Sequence, residues 1–107
     1  MNGERKSPAP LLVKLCSDRA AFEVRLQHKI SFNMDEVKYL FEAAKSHKIV
    51  VHTPYIMVLR DRKGAEVTFS KDGRMLVKSV LNEDEAEAVA QEVLRIALKA
   101  SIIHKGS

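Results

Sequence analysis

The chain has 107 residues, enough for one domain with a single hydrophobic core. Hydrophobic residues make up 46% and charged residues 30%, which is typical of a soluble globular protein. No run of apolar residues approaches the roughly 18 that a membrane span needs. The formal net charge of +4 allows contact with nucleic acid or acidic proteins without requiring it. The first ten residues lack the apolar core of a signal peptide, and Cys16 is the single cysteine. The sequence therefore predicts a cytoplasmic protein without an internal disulfide.

The apolar segment near the start of the chain fits two structures. One is a short helix whose apolar face is formed by Leu12, Leu15 and Cys16. The other is a strand in which Leu11, Val13 and Leu15 alternate with their neighbours. We slightly prefer the helix, because a proline stands immediately before the segment, where a helix tolerates it.

The next two elements have clear periodicity. Strict alternation of apolar and polar residues from Phe22 to Phe32 predicts a strand, bent near His28 because the segment is long for one strand. Asn33, followed three residues later by Glu36, has the pattern of a helix N-terminal cap. Apolar residues at helical spacing then predict an amphipathic helix from about Met34 to Ser46.

The centre of the sequence predicts an antiparallel meander. The β-branched segment 49–52 comes first, and we expect a short strand that lies at an edge or ends just before Pro54, because proline cannot donate a ladder hydrogen bond. Polar, glycine-ended turns follow at 61–64 and 71–73. A three-residue loop at 71–73 gives one apolar face, formed by Val67, Phe69, Met75 and Val77 and continued by Tyr55, Met57 and Leu59. A two-residue loop would mix apolar and polar residues on both faces, so we prefer the longer loop.

A second helix follows the meander. Asn82 is its predicted cap, with Glu85 at the third helical position and acidic residues in the first turn. Its expected buried stripe is Ala86, Val89, Ala90, Val93 and Ala97, flanked by Leu94. These elements predict an α+β two-layer sandwich, an antiparallel sheet with two helices on one face and a possible extra N-terminal helix. The domain is expected over residues 10–104, between a disordered tail at 1–9 and a frayed end at 105–107.

The helices of such a sandwich leave one face of the sheet uncovered, and we call it the open face. Its predicted members are Arg25, Gln27, Lys29, Ile56, Val58, Arg60, Glu66, Thr68, Leu76, Lys78 and Val80. This mixture of aliphatic and basic side chains is more apolar than an ordinary solvated surface. We therefore expect any function visible in the sequence to be located there.

The meander resembles one repeat of the TATA-box-binding protein. The resemblance covers roughly residues 54 to 100 and is carried by 56–60, 65–70, 73–77 and 82–86. It implies a βαββββα domain of a type also used in small archaeal proteins of unassigned role. It further implies DNA contact, with phenylalanines wedged into the minor groove and threonine and valine side chains lining the concave face.

The wedge and groove positions of that family are only partly matched here. Phe69 matches one wedge position, whereas the other falls at Pro54, with Tyr55 beside it. A groove-lining threonine position falls on Lys78. The family's second repeat is absent, so a complete saddle would need a homodimer. The hairpin register places Phe69 on the helix-covered face, which favours a core role for this side chain over a groove wedge.

The sequence contains no catalytic motif and predicts no enzyme activity, cofactor or metal. The four histidines lack ligand spacing, and the two turn glycines do not open a helix as a phosphate-binding loop would. Candidate nucleic-acid contacts are the basic residues Arg60, Arg62, Lys63, Lys71, Arg74 and Lys78. Candidate contacts for a protein partner or a second copy are Ile56, Val58, Leu76 and Val80. The expected function is a small binding module for DNA or RNA, with protein interaction or self-association through the same face as the alternative.

Overall fold

The chain folds into an antiparallel sheet with two helices packed on one face. The structure, a computed structural model, describes residues 11–15, 21–26 and 30–106, with side chains for 21–26 and 30–100. In chain order the elements are β1 Leu11–Leu15, β2 Ala21–Leu26, α1 Met34–Ala44, β3 His47–His52, β4 Ile56–Asp61, β5 Glu66–Ser70, β6 Met75–Lys78 and α2 Glu83–Gly106. The predicted α+β fold is confirmed. Within the described residues, neither α1 nor α2 is long and apolar enough to span a membrane.

The six strands lie in the order β1-β2-β6-β5-β4-β3, and every neighbouring pair is antiparallel. The strand before α1 therefore pairs with the last strand of the meander. Strands β1 and β3 form the two edges. The expectation of an edge strand just before Pro54 is confirmed in β3, whose register shifts at a bulge between Ile49 and Val51.

The preference for a helix near the start of the chain is wrong over Leu11–Leu15. This segment is β1, and it pairs with β2 from Leu11 opposite Leu26 to Leu15 opposite Phe22. Pairing satisfies backbone groups along the edge of β2 that a helix would leave without partners. Residues 16–20, the remainder of the ambiguous segment, lie outside the described residues, as do the predicted tail at 1–9 and Ser107.

The register predicted for the last hairpin is confirmed. Glu66 lies opposite Lys78, and Phe69 lies opposite Met75. The loop at 71–73 closes with a hydrogen bond of 2.9 Å from the Ser70 amide to the Arg74 carbonyl, and its glycine has a φ of +92°. The glycine of the turn at 61–64 also has a positive φ, +96°. Both turns thus use glycine where other residues would be strained.

The strand predicted from Phe22 to Phe32 is shorter in the structure. Strand β2 ends at Leu26, residues 27–29 lie outside the described residues, and no strand is assigned from Ile30 to α1. The amide of Phe32 donates to the Lys71 carbonyl at 2.9 Å, which holds this segment against the 71–73 turn. The Phe32 ring then packs edge-on against Phe69, with ring centroids 5.0 Å apart. Phe32 is therefore a core residue outside the sheet.

Both helices begin at the predicted caps. The Asn33 side chain accepts from the amides of Asp35 and Glu36, and the Asn82 side chain accepts from the Glu85 amide at 2.9 Å. Helix α1 ends at Ala44, two residues before the predicted limit, because Lys45 adopts a left-handed conformation with φ of 57°. Helix α2 continues to Gly106, past residue 104, where the sequence predicts the domain to end.

The core lies between the helices and the sheet. Its fully buried sheet residues are Val24, Met57, Leu59, Val67, Phe69, Met75 and Val77. Its buried helix residues include Val37, Phe41, Ala86, Ala90, Val93, Leu94 and Ala97. Tyr55 does not continue this apolar row as predicted, because it precedes β4 and its side chain is 69% exposed.

Candidate functional site

One end of the open face carries a row of charged residues. Lys48 lies opposite Arg60, Arg60 lies opposite Glu66, and Glu66 lies opposite Lys78. Residues paired in this way point to the same face of the sheet. Along each strand they alternate with residues of the buried face, such as Leu59. Arg60 and Glu66 form an ion pair of 3.4 Å, whereas Lys48 and Lys78 have no ion pair within the described residues. The row therefore holds three cations and one carboxylate, and that carboxylate pairs with Arg60.

The middle row of the open face is mainly aliphatic. Val51 lies opposite Val58, Val58 opposite Thr68, Thr68 opposite Leu76, and Leu76 opposite Glu23. Val51, on the edge strand, is 41% exposed, and the next three side chains are half-buried by their neighbours in the sheet. The row offers apolar contact area beside the charged row.

The far end of the open face forms a shallow groove. One depression of about 300 Å³ includes Thr68, Ser70, Arg74 and Leu76 in its lining. A second, of about 360 Å³, includes Tyr55, Ile56, Ser70, Lys71 and Arg74. The two depressions share Ser70 and Arg74 in their linings, so they lie side by side at this end of the face.

The predicted basic residues separate into two groups. Arg60, Arg62, Lys63 and Lys78 lie at the end of the sheet with the 61–64 turn, and Lys71 and Arg74 lie at the end with the 71–73 turn. Strand β5, with five residues, separates the turns by roughly 16 Å at about 3.3 Å per residue. Among these six, only Arg60 has an ion pair within the part of the chain described.

Lys48 was not among the predicted contacts, because it falls between the predicted end of the first helix near Ser46 and the strand expected at 49–52. In the structure α1 ends at Ala44 and β3 begins at His47, so Lys48 becomes a strand residue. No alternation in the sequence marked Lys48 as a strand residue, because Ile49, Val50 and Val51 are three apolar residues in succession.

The predicted interaction residues do not all share a face. Ile56, Val58 and Leu76 belong to the rows of the open face, whereas Val80 packs against the core. The reason is local: Ser79 has a φ of 64°, which breaks the strand alternation immediately after β6. Val80 is therefore not a contact residue of the open face.

Gln27 and Lys29, which the sequence places on the open face, lie outside the described residues. Arg25 is exposed and its guanidinium lies 2.8 Å from the Glu23 carboxylate. Phe69, which matches a wedge position of the TATA-box-binding protein, is fully buried. The core role favoured by the hairpin register is confirmed for Phe69, so this side chain is not available to a ligand.

A separate cleft of about 420 Å³ lies between α2 and the 61–64 turn, and His47 forms part of its wall. The Ser46 hydroxyl is 2.8 Å from His47 Nδ1, and the Phe41 ring packs edge-on against the imidazole. Burial lowers the pKa of His47, and the charges of Asp61 and Glu92 oppose this shift in part. The described residues supply no carboxylate hydrogen bond to the imidazole, so serine and histidine lack the third member of a triad.

Potential metal ligands are also dispersed. Over the described ranges, no group of three or more histidine, cysteine, aspartate or glutamate side chains is placed to hold an ion.

Comparison of the chain with family models, curated proteins and solved structures finds no match. The open face, with its charged row, aliphatic row and groove, is therefore the candidate site that the geometry supports best.

Proposed function

We propose that this protein is a small non-enzymatic module that binds nucleic acid on the open face of its sheet. The observation that carries the proposal is the charged row, in which Lys48 and Arg60 face each other with the same charge. Like charges directly opposite in a sheet repel, and a bound phosphate backbone relieves that repulsion. The adjacent aliphatic row adds apolar contact for sugars and bases.

The proposal is tested by the salt dependence of binding. Fluorescence anisotropy of labelled DNA and RNA gives the slope of log affinity against log salt for the wild type, Arg60→Ala and Lys78→Ala. We expect each variant to bind more weakly and to lower the slope by about one unit. Lys99→Ala is the matched control, since Lys99 is exposed on α2, in the opposite layer. Wild-type slopes in both open-face variants would remove this face as the binding surface.

Self-association is the second candidate, and the aliphatic row supports it. Val51, Val58 and Leu76 lie in one row that no described helix covers. A second copy packed there would bury the row. Light scattering on Leu76→Glu is the test: a folded monomer from an oligomeric wild type is expected. A monomeric wild type, or an unchanged mass in the variant, would contradict self-association through this row.

A further inference from the structure

Tyr55 presents an exposed aromatic ring from a fixed backbone. Its side chain is 69% exposed, yet its amide donates to the Thr53 hydroxyl at 3.1 Å and its carbonyl accepts from the Lys71 amide at 2.8 Å. The Ile56 amide donates to the same hydroxyl at 3.0 Å. These bonds tie the turn before β4 to the 71–73 turn. The backbone that carries the ring is already held in place. A ligand that binds the ring therefore does not incur the loss of backbone freedom that ordering a mobile loop would require.

Two cations share a depression with this ring. Lys71 and Arg74 line the same depression as Tyr55, and neither has an ion pair in the part of the chain that the structure describes. The single carboxylate in that lining, Asp72, accepts a hydrogen bond of 3.1 Å from the Arg74 amide and so stabilises its own turn. An aromatic ring with flanking cations is the arrangement by which proteins hold an unpaired base and its phosphates.

We infer that the Tyr55 end of the open face binds single-stranded nucleic acid, with one base stacked on Tyr55 and the adjoining phosphates on Lys71 and Arg74. The inference rests on the proposed function and names its substrate class. A single strand exposes the faces of its bases, whereas a duplex keeps them stacked inside, out of reach of a surface ring. The neighbouring depression, which shares Ser70 and Arg74 with this one and also contains Glu23 and Leu76, gives the nucleic-acid strand a path onward.

The first test compares Tyr55→Ala with Tyr39→Ala. Tyr39 is the matched control because it is 73% exposed on α1, in the opposite layer. We expect Tyr55→Ala to weaken binding of a labelled single-stranded oligothymidine by about tenfold, the effect of losing one stacked base. Duplex binding by Tyr55→Ala, and both affinities of Tyr39→Ala, are expected to stay at the wild-type values.

The second test uses intrinsic fluorescence. The chain has two tyrosines and no tryptophan, so Tyr39→Phe leaves Tyr55 as the sole tyrosine and Tyr55→Phe leaves Tyr39. A base stacked on the ring quenches its emission. We expect unlabelled oligothymidine to quench Tyr39→Phe and to leave the emission of Tyr55→Phe unchanged.

The outcomes separate this inference from the proposed function. If the wild type binds nucleic acid but Tyr55→Ala keeps the wild-type affinity for single strands, the stacking site is wrong and the open-face proposal stands. A wild type that binds duplex DNA more tightly than single strands would likewise overturn the stacking site and leave the open-face proposal standing. If the wild type binds neither form at low salt, both proposals fail.

Discussion

Lys48 and Arg60 lie directly opposite each other on β3 and β4, although both side chains are positively charged and exposed. Sheets ordinarily place opposite charges at such positions, as Arg60 and Glu66 do on the next strand pair. The like-charge pair costs the free protein some stability. In our account this cost is offset when a phosphate backbone binds across the two strands.

Charge reversal at Lys48 therefore has opposite effects on folding and on binding. Lys48→Glu places a carboxylate opposite Arg60, and we expect the free energy of unfolding to rise by about 0.3 kcal/mol, the scale of an exposed pair. Nucleic-acid affinity is expected to fall, because one cation of the charged row becomes an anion. Urea denaturation and anisotropy measure the two effects, with Lys99→Glu on α2 as control. Tighter binding by Lys48→Glu would refute the account.

Phe69 tests the distinction between a core residue and a groove wedge. It is fully buried and packs edge-on against Phe32. Phe69→Leu is expected to lower the free energy of unfolding by about 1 to 2 kcal/mol, because the aromatic contact and some volume are lost. Affinity for nucleic acid, measured where the variant is fully folded, is expected to stay unchanged. A large loss of affinity with normal stability would instead indicate a wedge.

His47 makes stability depend on pH. Burial lowers its pKa below the ordinary value of 6.5, so in the window below 6.5 the unfolded chain binds more protons than the folded protein. The free energy of unfolding is therefore expected to fall as pH drops from 6.5 towards the lowered pKa, and this contribution is fully present above 6.5. Asp61 on β4 and Glu92 on α2 face the imidazole and reduce the effect.

The measurement for His47 is urea denaturation of the wild type and His47→Gln between pH 7.5 and 5.5. The variant lacks the titrating group and should lose less stability over this range than the wild type. All other titratable groups are common to both proteins, so the difference between the two curves isolates His47. Parallel curves would show that His47 titrates alike in the folded and unfolded chains.

Local chemistry was sufficient to predict the meander and the helix starts. Glycines at positive φ mark both turns, and alternation then leaves one hairpin register that keeps a face apolar, with Phe69 opposite Met75. Asn33 and Asn82 cap their helices through short-range hydrogen bonds, which the neighbouring sequence specifies completely.

Features that depend on distant neighbours were not predictable in this way. Strand β1 forms because β2 offers an unpaired edge, a condition that the sequence of 11–15 does not contain. Val80 turns to the core because Ser79 adopts a positive φ, which is uncommon for serine. Lys48 reaches the open face only because α1 ends early and β3 begins at His47. The candidate site was therefore predicted in outline and corrected in its members.

The central claim, that nucleic acid binds the open face, is tested most directly by mapping amide chemical shifts in the ¹⁵N-labelled protein during separate titrations with oligothymidine and with a DNA duplex. We expect the shifts to concentrate on the open face, at Tyr55, Arg60, Thr68, Leu76 and Lys78, and to leave the exposed residues of both helices unchanged. Shifts confined to the helices, or no shifts at low salt, would contradict the account.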